Sequence, residues 1–154
     1  LFPYTTLFRS NNPVVQARLT KLSGTGSCPC PDCVSRREFL QNIQIPTVPN
    51  LYTKIKEAVG EDGAGLEMSA YDCGHGRCIA GWAVKFADVP ELRRRFGYDT
   101  LAKLIFLQAY PDRPIPNFLT GNVEGLRVIN ENAEWEAQQN ANTTTTTPPS
   151  PAGA

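Results

Sequence analysis

The sequence predicts a mainly α-helical protein, a small bundle of four or five short helices with room for one short extended arm near residues 65–71. Two observations predict this class. Apolar residues recur at intervals of three and four in several segments, which is the pattern of one buried helix face. Proline and glycine stand between these segments, at positions where they begin or end helices. We therefore expect a helical domain over residues 48–136.

The first two helices of this domain are predicted on either side of a glycine-rich stretch. The segment LYTKIKEAV places Leu51 and Ile55 on one face, and RCIAGWAVKFAD contains an apolar stripe that includes Trp82 and Phe86. Between them, LEMSAYD alternates apolar and polar residues, which favours a strand or an extended arm lying on helices. Gly81 costs about 1 kcal/mol relative to alanine within a helix, so a close packing partner is expected there.

Further helices are predicted in the second half of the domain. Pro90 begins a short helix that ends at Gly97, and Asp99 is the predicted N-cap of TLAKLIFLQAY. That segment is apolar on most of its circumference, so we expect it at the centre of the core. After the proline-rich PDRPIP, Asn122 is predicted to cap a last helix with Ile129 on its inner face.

Both ends of the chain are expected to lie outside the helical domain. Residues 1–10, LFPYTTLFRS, resemble after back-translation the end of a sequencing adapter, so we expect them to be an artefact. Residues 11–47 are expected to be poorly structured, and an untranslated leader would explain them because the only methionine is Met68. Residues 137–154 hold no charge and no large apolar side chain, and their Thr/Pro-rich composition predicts disorder.

Composition excludes several classes of function. The chain of 154 residues has 15 basic and 15 acidic residues, so it lacks the net positive charge that nucleic-acid binding favours. Arg93, Arg94 and Arg95 form a local basic run, which we interpret as the solvated side of a short helix. No apolar run approaches the roughly 20 residues of a membrane span. Five cysteines, an odd number, favour a reducing and cytoplasmic setting.

The stretch LEMSAYDCGHGRCIAGWAV resembles a family of small uncharacterised proteins from bacteria and their phages, actinobacterial phages especially. Members typically show a Met-containing arm, then Cys-Gly-Thr, two variable residues, and Cys-x-Ala-Gly-Trp-Ala. The matching positions here are Cys73, Gly74, Cys78, Ala80, Gly81, Trp82 and Ala83. His75 departs from the pattern, which usually has Thr there. The resemblance covers about residues 48–130 and implies a helical layout, and it implies no established activity.

The loop that contains Cys73, His75 and Cys78 is a candidate metal or redox site. A thiol at a helix N-terminus can have a lowered pKa, and two thiols with one imidazole would supply three ligands for Zn²⁺. The interpretation that we favour is structural. Both cysteines then act as small apolar residues, with Cys78 in the core and Cys73 holding the loop.

The segment CPCPDC contains a second cysteine cluster, formed by Cys28, Cys30 and Cys33. Closely spaced thiolates suit a zinc knuckle or an iron–sulfur ligand set. Three thiolates do not complete a four-ligand set. The sequence therefore predicts a metal here only if a residue of the second loop, Cys73, His75 or Cys78, completes it.

These patterns favour a non-enzymatic helical domain, a phage or accessory protein that binds another protein and needs no cofactor. The alternative is a metal- or redox-active cysteine protein that uses Cys73, Cys78 and His75, with zinc as the ion. An enzyme is less favoured, and no catalytic residue is assigned, because the sequence does not place a carboxylate pair, a phosphate-binding loop or a Ser/His/Asp order. Cys73 or Cys78 with His75 is the one available nucleophile–base pair.

Overall fold

The structure, a computed structural model, describes residues 28–42 and 44–145. Within these ranges the chain forms five α-helices and no strand, so the predicted helical class is confirmed. The helices are α1 (Pro31–Asn42), α2 (Leu51–Val59), α3 (Ile79–Ala87), α4 (Pro90–Ala109) and α5 (Asn122–Thr145). The interpretation of residues 1–10 as adapter, and the expectations for residues 11–27 and 146–154, lie outside the described residues.

Helices α2 and α3 form where the apolar periodicity predicts them. Leu51 and Ile55 are completely buried on the inner face of α2. Trp82 is 8% exposed, and its ring stacks on Phe86, which packs against the core. The prediction that the tryptophan-bearing segment is helical and buries its apolar side is therefore confirmed.

Helix α4 is interrupted at Gly97, as the sequence predicts. This residue has φ 76° and ψ 177°, a conformation that glycine adopts at little cost because it has no side chain. Asp99, the predicted N-cap, forms an ion pair with Lys103 at 2.8 Å. The segment after the break lies at the centre of the core. Its buried residues are Leu101, Ala102, Leu104, Ile105, Phe106 and Leu107.

The segment between α2 and α3 is an arm of turns held by several hydrogen bonds. Leu66 forms a single parallel bridge with Arg77, and the Glu67 N–H donates to the Arg77 carbonyl oxygen at 3.1 Å. The Met68 N–H donates to Asn122 Oδ1 at 2.7 Å. The Asn122 side chain, predicted to cap its own helix, therefore accepts a hydrogen bond from the arm. These contacts satisfy backbone groups that have no sheet partner.

A buried carboxylate joins α5 to the start of α2. Glu136 is 4% exposed and accepts hydrogen bonds from the Tyr52 N–H at 3.1 Å and from the Thr53 N–H at 2.8 Å. The Thr53 hydroxyl at 2.7 Å and the Tyr110 hydroxyl also donate to it. The residue at the N-cap position, Asn50, makes no capping hydrogen bond with its side chain. Glu136 therefore satisfies N–H groups that a helix start leaves without partners.

Helical structure is also present outside the predicted domain of residues 48–136. Residues 31–42 form α1 inside the range expected to be poorly structured, with Pro31 at its start and Asp32 in its first turn, both favourable at a helix N-terminus. Helix α5 continues past residue 136 to Thr145. Asn140, in this extension, donates a side-chain hydrogen bond to Asn50. Within the described ranges, no helix combines the length and the apolar character that crossing a membrane requires.

Candidate metal centre

Three thiols meet at the N-terminus of α1. The Sγ atoms of Cys28, Cys30 and Cys33 all lie within 4.8 Å of one another. Across residues 28–42 and 44–145, no other set of three or more His, Cys, Asp or Glu side chains brings its ligand atoms together in this way. Cys30 is exposed and the other two are half-buried, so an ion in solution can reach all three.

The local sequence explains why the thiols meet. Pro29 and Pro31 each fix the backbone φ angle near −65°, which limits the conformations of the loop that carries Cys30. Pro31 then begins α1, and the Val34 N–H donates to the Cys30 carbonyl oxygen at 3.0 Å. Cys33 thereby lies in the first turn of the helix. Its side chain returns towards the loop because helical side chains point to the N-terminus.

Hydrogen bonds within the cluster distinguish the thiols. The backbone N–H of Cys33 lowers the pKa of the Cys30 thiol, and side-chain hydrogen bonds from Cys33 and Cys28 add to this effect. Hydrogen bonds to Cys30 and Cys28 raise the pKa of Cys33 to about 11. Cys30 therefore ionises more readily than Cys33, and Cys33 keeps its proton at neutral pH unless an ion displaces it.

The spacing is close to what a thiolate site requires. A zinc–sulfur bond is about 2.3 Å long, which corresponds to about 3.8 Å between sulfurs in a tetrahedral site. Separations of up to 4.8 Å need only a small inward movement of side chains that are not tightly buried. Three thiolates leave one coordination position for a water molecule, the arrangement of an open zinc site.

The loop that contains Cys73 and Cys78 differs from the cluster at α1, because one of its thiols is exposed and the other is buried. Cys73 is exposed, and its S–H donates to the Gly76 carbonyl oxygen at 3.2 Å. Cys78 is 2% exposed at the N-cap of α3, and its Sγ accepts from the Gly81 N–H at 3.3 Å. Burial raises the pKa of Cys78, so the expected lowering at a helix start is overcome. Cys78 is thus a core residue, in agreement with the favoured packing interpretation.

His75 is exposed in the same loop. In the part of the chain that the structure describes, Cys73, His75 and Cys78 do not gather as a group of three ligands, and none of them joins the cluster at α1. The predicted set of four ligands, in which Cys73, His75 or Cys78 joins the three thiols at α1, is therefore not assembled among these residues.

Comparisons of the chain with protein-family models, with curated proteins and with solved structures give no match. The resemblance to small bacterial and phage proteins stays a prediction.

Proposed function

We propose that this protein binds a soft divalent metal ion, Zn²⁺ above all, through the thiolates of Cys28, Cys30 and Cys33. The helical body acts as a non-enzymatic support for this site. The single observation that carries the proposal is the approach of three Sγ atoms to within 4.8 Å of one another. The earlier expectation of a protein partner stays a prediction beside it.

Two features of the cluster support an ion over a purely structural role. Thiols on the surface contribute little to packing, so three of them around one point gain little from burial alone. The backbone N–H of Cys33, at the N-terminus of α1, also lowers the pKa of the Cys30 thiol, which favours a thiolate at that position. Soft sulfur ligands select zinc, copper(I) or iron–sulfur clusters over magnesium and calcium.

The test is metal content in the full chain purified under reducing conditions. We expect about one zinc ion per chain by elemental analysis, because a preformed three-thiolate site binds one ion. Replacing all three residues, with Cys28→Ser, Cys30→Ser and Cys33→Ser, should remove the metal. Since the cluster lies outside the buried core, far-ultraviolet circular dichroism of the helices should change little.

The matched control is Cys73→Ser, which removes an exposed thiol outside the cluster. This variant should retain the zinc of the parent protein. Metal-free parent protein that also fails to take up added Zn²⁺ would refute the proposal, and so would zinc that persists in the triple variant.

The zinc affinity of the cluster should increase with pH. Metal binding requires thiolates, and Cys33 with its pKa of about 11 is protonated at neutral pH. Binding must therefore release protons, and the zinc affinity should rise as the pH increases from about 6 to 8. Isothermal titration in buffers of different ionisation enthalpy measures this release directly. An affinity that is constant over this range would contradict thiolate ligation.

A further inference from the structure

A second candidate site, separate from the cluster of Cys28, Cys30 and Cys33, lies in a cleft between the arm, α3 and the start of α4. The cleft has a volume of about 190 Å³. Its lining is strongly charged for so small a space. The charged residues are Asp72, Arg77, Lys85, Asp88 and Arg93. The geometry points to a binding site for a small anion, a phosphate or carboxylate group with a short apolar body.

Two cations in the cleft are held by aromatic rings instead of by carboxylates. Lys85 Nζ lies 5.2 Å from the centre of the Trp82 ring, and Arg93 Cζ lies 5.5 Å from that of Tyr98. Neither cation has a carboxylate oxygen within 4.0 Å among the described residues, whose ion pairs involve other side chains. Ring contacts position a cation without neutralising its charge, so both charges remain available to a ligand.

The remaining charges of the lining offset only one of these two positive charges. Arg77 is paired with Asp72 at 3.2 Å and also lies over the Trp82 ring, at 5.1 Å from its centre. Asp88 is the one other carboxylate of the lining. Three cations and two carboxylates leave one formal positive charge, which favours an anion over a cation as the occupant.

The volume of the cleft and its apolar wall indicate a small ligand with a short hydrocarbon part. A site for a drug-sized molecule has at least about 300 Å³, so this cleft suits a smaller ligand. Val84 and Val89 are buried residues of its wall, beside Pro90 and the half-buried Tyr98. An anionic group can therefore bind Lys85 and Arg93 while a short hydrocarbon part contacts this wall.

The basic run at residues 93–95 offers a matched control. Arg93 lines the cleft, whereas Arg94 lies outside the lining and is paired with Glu91. Replacing either arginine by glutamine removes the same charge from the same helix turn. Only the loss of Arg93 removes a proposed ligand contact.

The test is a titration of the full chain at low ionic strength with inorganic phosphate, propyl phosphate and butyrate, in separate experiments. The readout is the nuclear magnetic resonance signal of the Trp82 indole N–H, because Lys85 and Arg77 both lie over that ring. We expect a saturable shift, strongest for propyl phosphate if phosphate is preferred and for butyrate if carboxylate is preferred. Arg93→Gln should weaken binding roughly fivefold, and the double variant with Lys85→Gln and Arg93→Gln roughly tenfold or more.

Arg94→Gln should leave the affinity within about twofold of the parent, since Arg94 lies outside the cleft lining, is paired with Glu91 and is exposed to screening by salt. The absence of a saturable shift with all three anions would overturn the proposal. An equal loss of affinity in Arg93→Gln and in Arg94→Gln would also overturn it, because each removes one charge and binding would then follow net charge alone. None of these outcomes depends on the cysteine cluster.

Discussion

Gly81 decides how closely the arm approaches α3. A Cβ atom at this position would lie 2.0 Å from the Tyr71 carbonyl oxygen, a distance that no real side chain tolerates. The helical cost of glycine predicts a close neighbour here. The neighbour is the backbone of the arm, and sequence periodicity contains no information about it.

Gly81→Ala should destabilise the protein by roughly 1–3 kcal/mol, because the steric conflict outweighs the gain of about 1 kcal/mol in helix propensity. Urea unfolding followed by circular dichroism measures the change. Gly121→Ala is the control, since a Cβ there meets no atom within 4 Å. Equal stability of the two variants would mean that the arm moves away from α3 at no cost.

The candidate metal site was only partly predictable at the level of residues. The spacing of Cys28, Cys30 and Cys33 already places three thiols near one another, because a short chain between them limits their separation. Whether Cys78 completes the set depends on how distant segments pack. Cys78 is buried as the N-cap of α3, which only the tertiary structure decides.

At the level of helices, apolar periodicity predicted α2 and α3, and Gly97 predicted the break in α4. The sequence patterns did not predict that Glu136 accepts the hydrogen bonds of the α2 N-terminus. Ile129, Ala133 and Glu136 follow one another at intervals of four and three, so the sequence does place Glu136 on the inner face of α5. A carboxylate on an apolar face is the signal that could have identified it as a buried hydrogen-bond acceptor.

Glu136→Ala should destabilise the protein by roughly 2–4 kcal/mol, because the Thr53 N–H and hydroxyl would lose their acceptor and the Tyr52 N–H would keep only the Tyr110 hydroxyl oxygen. Glu136→Gln should cost less, since the amide oxygen still accepts one of these bonds. Chemical denaturation gives both values, with the exposed Glu134→Ala as control. If Glu136→Ala and Glu134→Ala unfold at the same denaturant concentration, the hydrogen bonds from Glu136 to the N-terminus of α2 contribute nothing to stability.

At the level of the whole molecule, the buried core formed by the described residues is contained in one stretch of the chain. Its first buried residue among those described is Ile45 and its last is Glu136. Helix α2 packs mainly on α5, and α3 mainly on α4. The thiol cluster and the core therefore belong to separate parts of the chain.

A fragment of residues 44–145 should accordingly unfold cooperatively, with a melting temperature within a few degrees of the full chain, because it retains the described core. A fragment of residues 51–145 is the comparison, since it also lacks the buried Ile45 and Val48. It should melt roughly 10 °C lower or more. Calorimetry of both fragments measures the difference, and non-cooperative melting of the longer one would place residues before 44 within the folding unit.

The amino-acid sequence alone determined the helical class, the helix of Trp82, the break at Gly97 and the closeness of the three thiols at α1. These features depend on neighbours within a few residues, through helical periodicity, backbone conformation and short chain length. The tertiary structure alone decided that Glu136 caps α2, that Cys78 is buried away from the other thiols, and that Lys85 and Arg93 share one cleft. Contacts between distant segments require the whole chain to pack, and no local pattern specifies them.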